Sequence, residues 1–372
     1  MRVPSKNNYS SLSIVGCTNR IWFGLLKRHG FEVRYLHRVI FGTVVTCLLS
    51  PLRIYERWKL GDTIEKTVIH GSPLFIIGHW RSGTTLLHNV LSKDPQFGYV
   101  TYEQGLFPHC FLKNKIISRF VKAAMPDTRP MDNMAIDVKS PQEEEQALIA
   151  LSGHSVYNMW ISPHKQLECW KKYCLFDDLE IKNKWSQGYI ALLKAATYNF
   201  DGKRLLLKNP ANTTRLIYLL GKFPDAKFIY IYRNPYTVYE STKNLYRKVA
   251  RFFNLEDPDI QEEDNNILRI HREMLESYQR DKALIPTDSI IEIKYEEFVN
   301  DPESGLKSIY SRLDLGGFDE VSPVIKDYLD SIKGYTPNKF SLDQKSLDAV
   351  NDQLGLAFEI YGYKKIVNVD ES

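Results

Sequence analysis

The residues best suited to chemistry lie in PLFIIGHWRSGTTLLHNVL, residues 73–91. Leu74 to Ile77 read as a buried strand that runs into Gly78, and a helix opens at Gly83-Thr84-Thr85. Such a turn aims backbone N–H groups and the positive end of a helix at one point, which makes an anion site. Gly83 allows close backbone approach, the hydroxyls of Ser82, Thr84 and Thr85 can donate to phosphate oxygens, and Arg81 can add a charge-assisted contact. The plain alternative is an ordinary glycine-containing strand–helix turn. A second segment, KFIYIYRNPYTVYESTKNLY (227–246), delivers Arg233 at a strand end, with Asn234 as N-cap and Pro235 at the first helical position. Ser241 follows Arg233 by eight residues, so the two could grip another phosphate. Taken alone, this pair is more often a capped helix with a solvated arginine.

The spacing Gly78-x4-Gly83 is that of a Walker A loop, yet Thr84-Thr85 stand where Lys-Ser/Thr would follow. Arg233 stands where a Walker B strand would offer an acid to Mg²⁺. Both departures argue against metal-dependent ATP hydrolysis, and no metal-ligand spacing is present. We therefore expect no metal requirement.

Elements of two kinds must position these residues. Near-continuous apolar runs at Leu74–Ile77, Arg204–Leu207, Lys227–Tyr232 and Ser289–Ile293 suit strands covered on both faces. Helical patterns at Thr84–Leu91, Trp185–Tyr198, Thr213–Leu220 and Pro235–Val249 alternate with them. The expected fold is α/β: a parallel sheet flanked by helices, with ligands at the carboxyl ends of its strands. Further helices are expected at Glu303–Leu313, Val324–Ile332 and Leu342–Tyr361. No repeat or long linker appears, so we expect a helical N-terminal extension, residues 1–70, and one catalytic domain, 71–372.

The 372 residues are 43% hydrophobic and 25% charged, with a net charge of +4, too mild to suggest nucleic acid. Residues 1–60 hold ten Lys or Arg against Glu32 and Glu56, a balance of +8, which leaves −4 for the rest. A basic first segment suggests an anionic partner, such as a membrane surface. Val39–Leu52, VIFGTVVTCLLSPL, is the most apolar stretch; its 14 residues are too few for a spanning helix, which needs about 20. It suits a core helix or an interfacial one flanked by Arg34, Arg38, Arg53 and Arg57. Residues 1–13 lack the apolar run of a secretory signal, and the five scattered cysteines suit reduced thiols. The expected location is cytoplasmic, with peripheral membrane contact as a further expectation.

Together, RSGTT (81–85) and YRNPYTVYES (232–241) resemble the two nucleotide motifs of the PAPS-dependent sulfotransferases. LLLKNPANTTRL, RPMDNMAID, SPQEEEQAL and IIEIKYEEFVNDP are similar to segments of the bacterial branch, so the resemblance runs from about residue 73 to the C-terminus. It implies transfer of a sulfuryl group from PAPS to an acceptor hydroxyl, with PAP as product. Arg81, Ser82, Gly83, Thr84 and Thr85 would bind the 5′-phosphosulfate, Arg233 and Ser241 the 3′-phosphate, and Lys339 in KGYTPNKF would add a contact. Arg81 would also stabilise charge on the leaving group. Lys208 would be a second cation, against the alternative of a solvated lysine. The general base expected is Glu103, in a second strand or loop, with an idle exposed carboxylate as the alternative. His109 is the runner-up and His79 is also eligible. The acids Glu143, Glu144 and Glu145 read more simply as the first turn of a helix capped by Ser140 and begun by Pro141.

The acceptor expected is a hydrophobic alcohol, such as a steroid, sterol or lipid, with a carbohydrate as the alternative. A P-loop kinase would instead need Mg²⁺ and ATP. A nucleotide-binding, membrane-associated scaffold would bind PAP without turnover.

Overall fold

The structure is a computed structural model and describes residues 16–111, 118–119, 121–122, 128–129, 131–132, 134–334 and 341–368. The chain divides into two compact units, one of residues 70–98, 203–244 and 260–372, the other of residues 1–69, 99–202 and 245–259.

The first unit is built on a five-stranded sheet in the order β2-β3-β1-β4-β5, with every pairing parallel. The strands are β1 (Leu74–Ile77), β2 (Phe97–Gly98), β3 (Arg204–Lys208), β4 (Lys227–Tyr232) and β5 (Ile290–Lys294). All four residues of β1 are fully buried, as expected for a strand covered on both faces. On one face Leu74 and Ile76 join Leu206, Ile229 and Ile231 against Leu87 and Leu91 of the Thr84–Leu91 helix. On the other, Phe75 stacks on Phe228 at 5.4 Å and Tyr230 stacks on Tyr278 of the Ile260–Asp281 helix at 3.7 Å. Burial at roughly 25 cal/mol per Å² makes these two layers the main force holding the strand ends in register.

The expected elements Leu74–Ile77, Thr84–Leu91 and Lys227–Tyr232 match in full. Where Thr213–Leu220 reads as one helix, the chain forms a 3-10 turn, Pro210–Thr214, before the helix Leu216–Lys222. The Asn209 side chain accepts from the Ala211 N–H and sets that tighter turn. The expected Val324–Ile332 helix begins earlier, at Phe318, and runs through Pro323. Leu342–Tyr361 is two helices, Gln344–Gln353 and Gly355–Tyr361, interrupted at Leu354. The two-residue β2 is too short to leave a periodic signal.

The second unit is helical. Its long helix, Leu179–Asn199, starts six residues before Trp185, because Asp178 caps the N–H groups of Glu180 and Ile181. Three helices, Asn19–His29, Leu36–Leu48 and Ser50–Lys66, form the N-terminal part. Val45, Leu49 and Leu52 pack on Leu106, Phe107 and Cys110. The acids at 143–145 sit differently from the expectation: the helix begins at Glu144, since Pro141 pairs with Thr101 in a bridge and Gln142 donates its N–H to the Val100 carbonyl at 2.8 Å. Ser140 is therefore no cap, and Glu144 and Glu145 are fully buried. All five cysteines are free; four are buried and Cys47 is exposed.

Candidate active site

Three parallel strands end side by side in the sheet unit. β1 lies between β3 and β4, with Ile76 level with Lys208 and Ile77 level with Tyr230. Gly78 thus emerges between Lys208 and the segment that leads to Arg233. The backbone leaves β1 through an unusual path: Gly78, Arg81 and Gly83 have φ of 136°, 71° and 102°. A side chain at Gly78 would place Cβ 2.2 Å from the Ile231 carbonyl oxygen, and one at Gly83 would meet the Tyr295 ring at 2.3 Å. Both positions therefore need glycine. Arg81 holds the left-handed region without that freedom, a strained conformation of the kind stored at functional sites.

Hydrogen bonds hold the loop from below. The Gly78 N–H donates to Thr213 Oγ1 at 2.9 Å, and the Thr213 hydroxyl donates to the Gly78 carbonyl at 3.2 Å. The Ser82 hydroxyl donates to the His79 carbonyl at 2.7 Å and is 1% exposed. A hydroxyl has one proton, so Ser82 in this arrangement shapes the turn instead of donating outward, contrary to the expectation from its type. Thr84 is buried and Thr85 half-buried at the helix start.

The segment that follows β4 meets this loop. Arg81 Nε donates to Ser241 Oγ at 2.9 Å, and Arg233 donates to the Arg81 carbonyl at 3.4 Å. The Arg233 guanidinium lies over the Tyr295 ring, 4.1 Å from its centroid. Asn234 caps its helix as expected, its side chain accepting from the Tyr236 N–H at 3.0 Å. The Asn234 N–H donates to Glu296 at 3.0 Å. Arg233 is thus fixed by contacts that a solvated arginine would lack.

Lys208 is 2% exposed, which removes the solvated-lysine alternative. Burial, and then the nearby Lys208 charge, push His88 of the Thr84–Leu91 helix well below its ordinary pKa. His79 donates Nδ1–H to the Trp80 carbonyl at 2.7 Å and stacks on His271 at 4.0 Å. Burial pushes His79 down to about 4 and His271 well below the ordinary value, so both rings are neutral near pH 7.

Glu103 and His109 belong to the helical unit. Glu103 sits in the short helix Tyr102–Leu106, capped by Thr101, and not in a strand or loop. It is 9% exposed, so the idle exposed carboxylate does not describe it. Burial raises its pKa, against the lowering influence of the Ser118 hydroxyl, 2.7 Å from Oε1, and of Lys139. His109 Nε2 lies 3.2 Å from the Ala150 carbonyl, to which it must donate, and burial pushes its pKa down to about 4. Of the other acids, Glu145 accepts the Val156 N–H at 2.7 Å and Glu143 accepts the Tyr157 hydroxyl at 2.9 Å. Lys339 lies outside the described residues.

Sequence reasoning missed Tyr295 and Thr213. Tyr295 forms the wall behind both Gly83 and Arg233, and Thr213 pins the start of the loop. Their available signal was position, since both follow strand ends of the same parallel sheet.

Comparison with known proteins identifies the family and the fold. A model of the sulfotransferase family matches residues 73–320. The omega-hydroxy-beta-dihydromenaquinone-9 sulfotransferases Stf3 of Mycobacterium bovis and Mycobacterium tuberculosis are each 30% identical over 358 residues, which is 94% of this chain and 91% of theirs. The sulfotransferase STF9 of Mycobacterium avium has a similar fold, with a TM-score of 0.66 at 16% identity, covering 94% of this chain and 97% of that one. STF1 of Mycobacterium tuberculosis gives a TM-score of 0.63 at 17% identity, covering 95% and 93%.

Proposed function

The chain belongs to the sulfotransferase family, and from that premise we propose that it uses PAPS to sulfate the hydroxyl of a lipid. The observation that carries the donor assignment is the Arg81–Ser241 hydrogen bond, which ties the two phosphate-binding segments together beside Gly83. PAPS supplies an activated sulfuryl group when bound. The residues fit it: two glycines whose side chains would collide with their surroundings, a helix start, and arginines at positions 81 and 233. Arg81, Thr84, Thr85 and the loop N–H groups would hold the 5′ end, and Arg233 and Ser241 the 3′-phosphate.

Arg81 carries its charge beside the helix N-terminus, where negative charge that develops on a leaving phosphate is stabilised without reorganisation. The buried Lys208 ammonium adds a second cation at the next strand end. For the base we propose Glu103, supported by its burial, which raises its pKa above the ordinary carboxylate value and so suits proton acceptance better than an exposed carboxylate. The lipid acceptor is supported by the menaquinone-derived substrate named for the 30% identical relatives. Arg233 at the end of β4, in place of an acid, supports turnover without Mg²⁺.

The test is incubation of the purified chain with labelled PAPS and chelator, offering long-chain ω-hydroxylated isoprenoids, sterols, phenols and sugars in parallel. Label on an isoprenoid alcohol or sterol is the expected result. Label on sugars alone would overturn the lipid acceptor, and absence of PAP binding in calorimetry would overturn the donor.

A further inference from the structure

The helices Leu36–Leu48 and Ser50–Lys66 carry, besides the apolar residues that pack on the core, a second apolar face directed outward. Toward the inside of the first lie Val39, Gly42 and Thr46, all buried. Gly42 leaves room there for Trp22, whose ring a Cβ would meet at 2.7 Å, and the Trp22 indole donates to Thr43 at 2.9 Å. Outward point Leu36, Ile40, Phe41, Val44 and Leu48, spaced i, i+4, i+5, i+8 and i+12, and all are exposed, Leu48 at 72%. That spacing keeps them on one side of a helix.

The second helix repeats the pattern. Arg53 and Glu56 are buried, and Arg53 donates to the Thr46 carbonyl at 2.8 Å. Ile54, Tyr55 and Trp58 face outward at 70%, 53% and 81% exposure. The two helices meet at a bend of 41°. An apolar stripe of this extent on the outside of a chain that turns its own Arg and Glu inward marks an interaction surface.

Charge selects the occupant. Beside Trp58 stand Arg57 and Lys59, both exposed, with Lys59 donating to the Tyr55 hydroxyl at 3.3 Å. The neighbouring acid Glu56 is turned inward, and the exposed acids Asp62 and Glu65 lie farther along the helix. Of the other flanking arginines, Arg38 is half-buried and donates to the carbonyls of Arg251 and Asn254, while Arg34 pairs with Glu32 and Asp257. Aromatic rings next to cations at the border of an aliphatic stripe match the layered chemistry of a lipid headgroup region. A self-complementary protein interface would bring the exposed cations of the two copies together at its edge. No single described helix is long and apolar enough to cross a membrane; by length and composition only the two together, bent by 41°, would be, and the 13 residues of the first reach only about 20 Å.

We propose that this outer face docks on an anionic lipid bilayer, with the two helices lying in the interface and not spanning it. The aliphatic stripe enters the acyl boundary, and Arg57 and Lys59 meet the anionic headgroups.

Flotation of the full chain with phosphatidylcholine vesicles, with and without phosphatidylglycerol as roughly a third of the lipid, tests this. The wild-type chain is expected to float with the anionic vesicles and to be released progressively by salt. The Ile40→Gln, Val44→Gln, Leu48→Gln variant, checked for an unchanged circular dichroism melt, should remain at the bottom. The Arg57→Gln, Lys59→Gln variant should lose about 30-fold in affinity for anionic vesicles and little for neutral ones. Equal flotation of wild type and the triple variant overturns the proposal, as does wild type left behind by both vesicle types. Sedimentation that shows a dimer, dispersed by the triple variant, with no flotation would assign the face to a second copy and overturn it too.

Discussion

Arg81 and Ser241 are 160 positions apart, yet Arg81 Nε donates to Ser241 Oγ at 2.9 Å. One residue sits on a strained loop and the other inside the Pro235–Lys248 helix, so the bond records how closely the two segments approach. It also orients the guanidinium before any ligand arrives. Ser241→Ala should therefore weaken PAP binding roughly tenfold, the effect of losing a hydrogen bond of about 1.4 kcal/mol to a charged group. Arg81→Ala should remove both PAP binding and turnover. Calorimetry with PAP reads both, and wild-type affinity in Ser241→Ala would break the link.

Gly83→Ala should be costly although it adds one methyl group. Its φ of 102° is unfavourable for any L side chain, and the new Cβ would stand 2.3 Å from the Tyr295 ring. We expect a loss of roughly 1–3 kcal/mol in stability, read by urea denaturation, together with lost PAP binding. An unchanged midpoint with normal PAP affinity would show that the loop has another resting shape.

Glu103→Gln should reduce turnover by about 10²–10⁴-fold while PAP affinity stays at the wild-type level. The pH profile gives the sign. A base must be deprotonated to act, and burial raises the Glu103 pKa, so the acid limb of kcat/KM should fall at higher pH than an exposed glutamate would give. A Glu103→Gln enzyme of normal activity moves the base elsewhere, with His109 the first position to mutate.

Acid should destabilise the sheet unit through its histidines. His79 titrates at about 4 in the folded chain, below the ordinary 6.5 that it regains on unfolding. The unfolded state therefore binds the proton first, and stability present above pH 6.5 is lost as the pH falls through the folded value near 4. His79 alone accounts for roughly 3 kcal/mol across that window, and its stacking partner His271 shifts in the same direction. Thermal melts between pH 7 and 4 should fall steeply, and His271→Phe should flatten the curve.

Much of the loop after β1 was legible because the signals that form it are local. Strand, glycine, arginine, hydroxyls and helix start occupy twelve consecutive residues, Leu74 to Thr85. Nothing beyond the order of residue types is needed to infer an anion site there. Ser82 shows the limit, since a hydroxyl that closes a turn and one that meets a phosphate have the same identity in sequence. Glu103 shows another: its place just beyond the first helix suggested a strand or loop, whereas Thr101 caps a short helix too brief to carry a period. The inward Arg53 and outward Trp58 were equally hidden, because composition counts charges without saying which side of a helix they occupy.

Tyr295 has a wider consequence than its place at the end of β5 suggests. One face of its ring carries the Arg233 guanidinium, and the same side chain fills the space that any residue larger than glycine would claim at position 83. A change of that tyrosine therefore disturbs the loop at Gly83 and the seat of Arg233 together. On the proposed donor assignment, a single change at Tyr295 would weaken the hold on both ends of the nucleotide at once, so the two phosphate contacts stand or fall together.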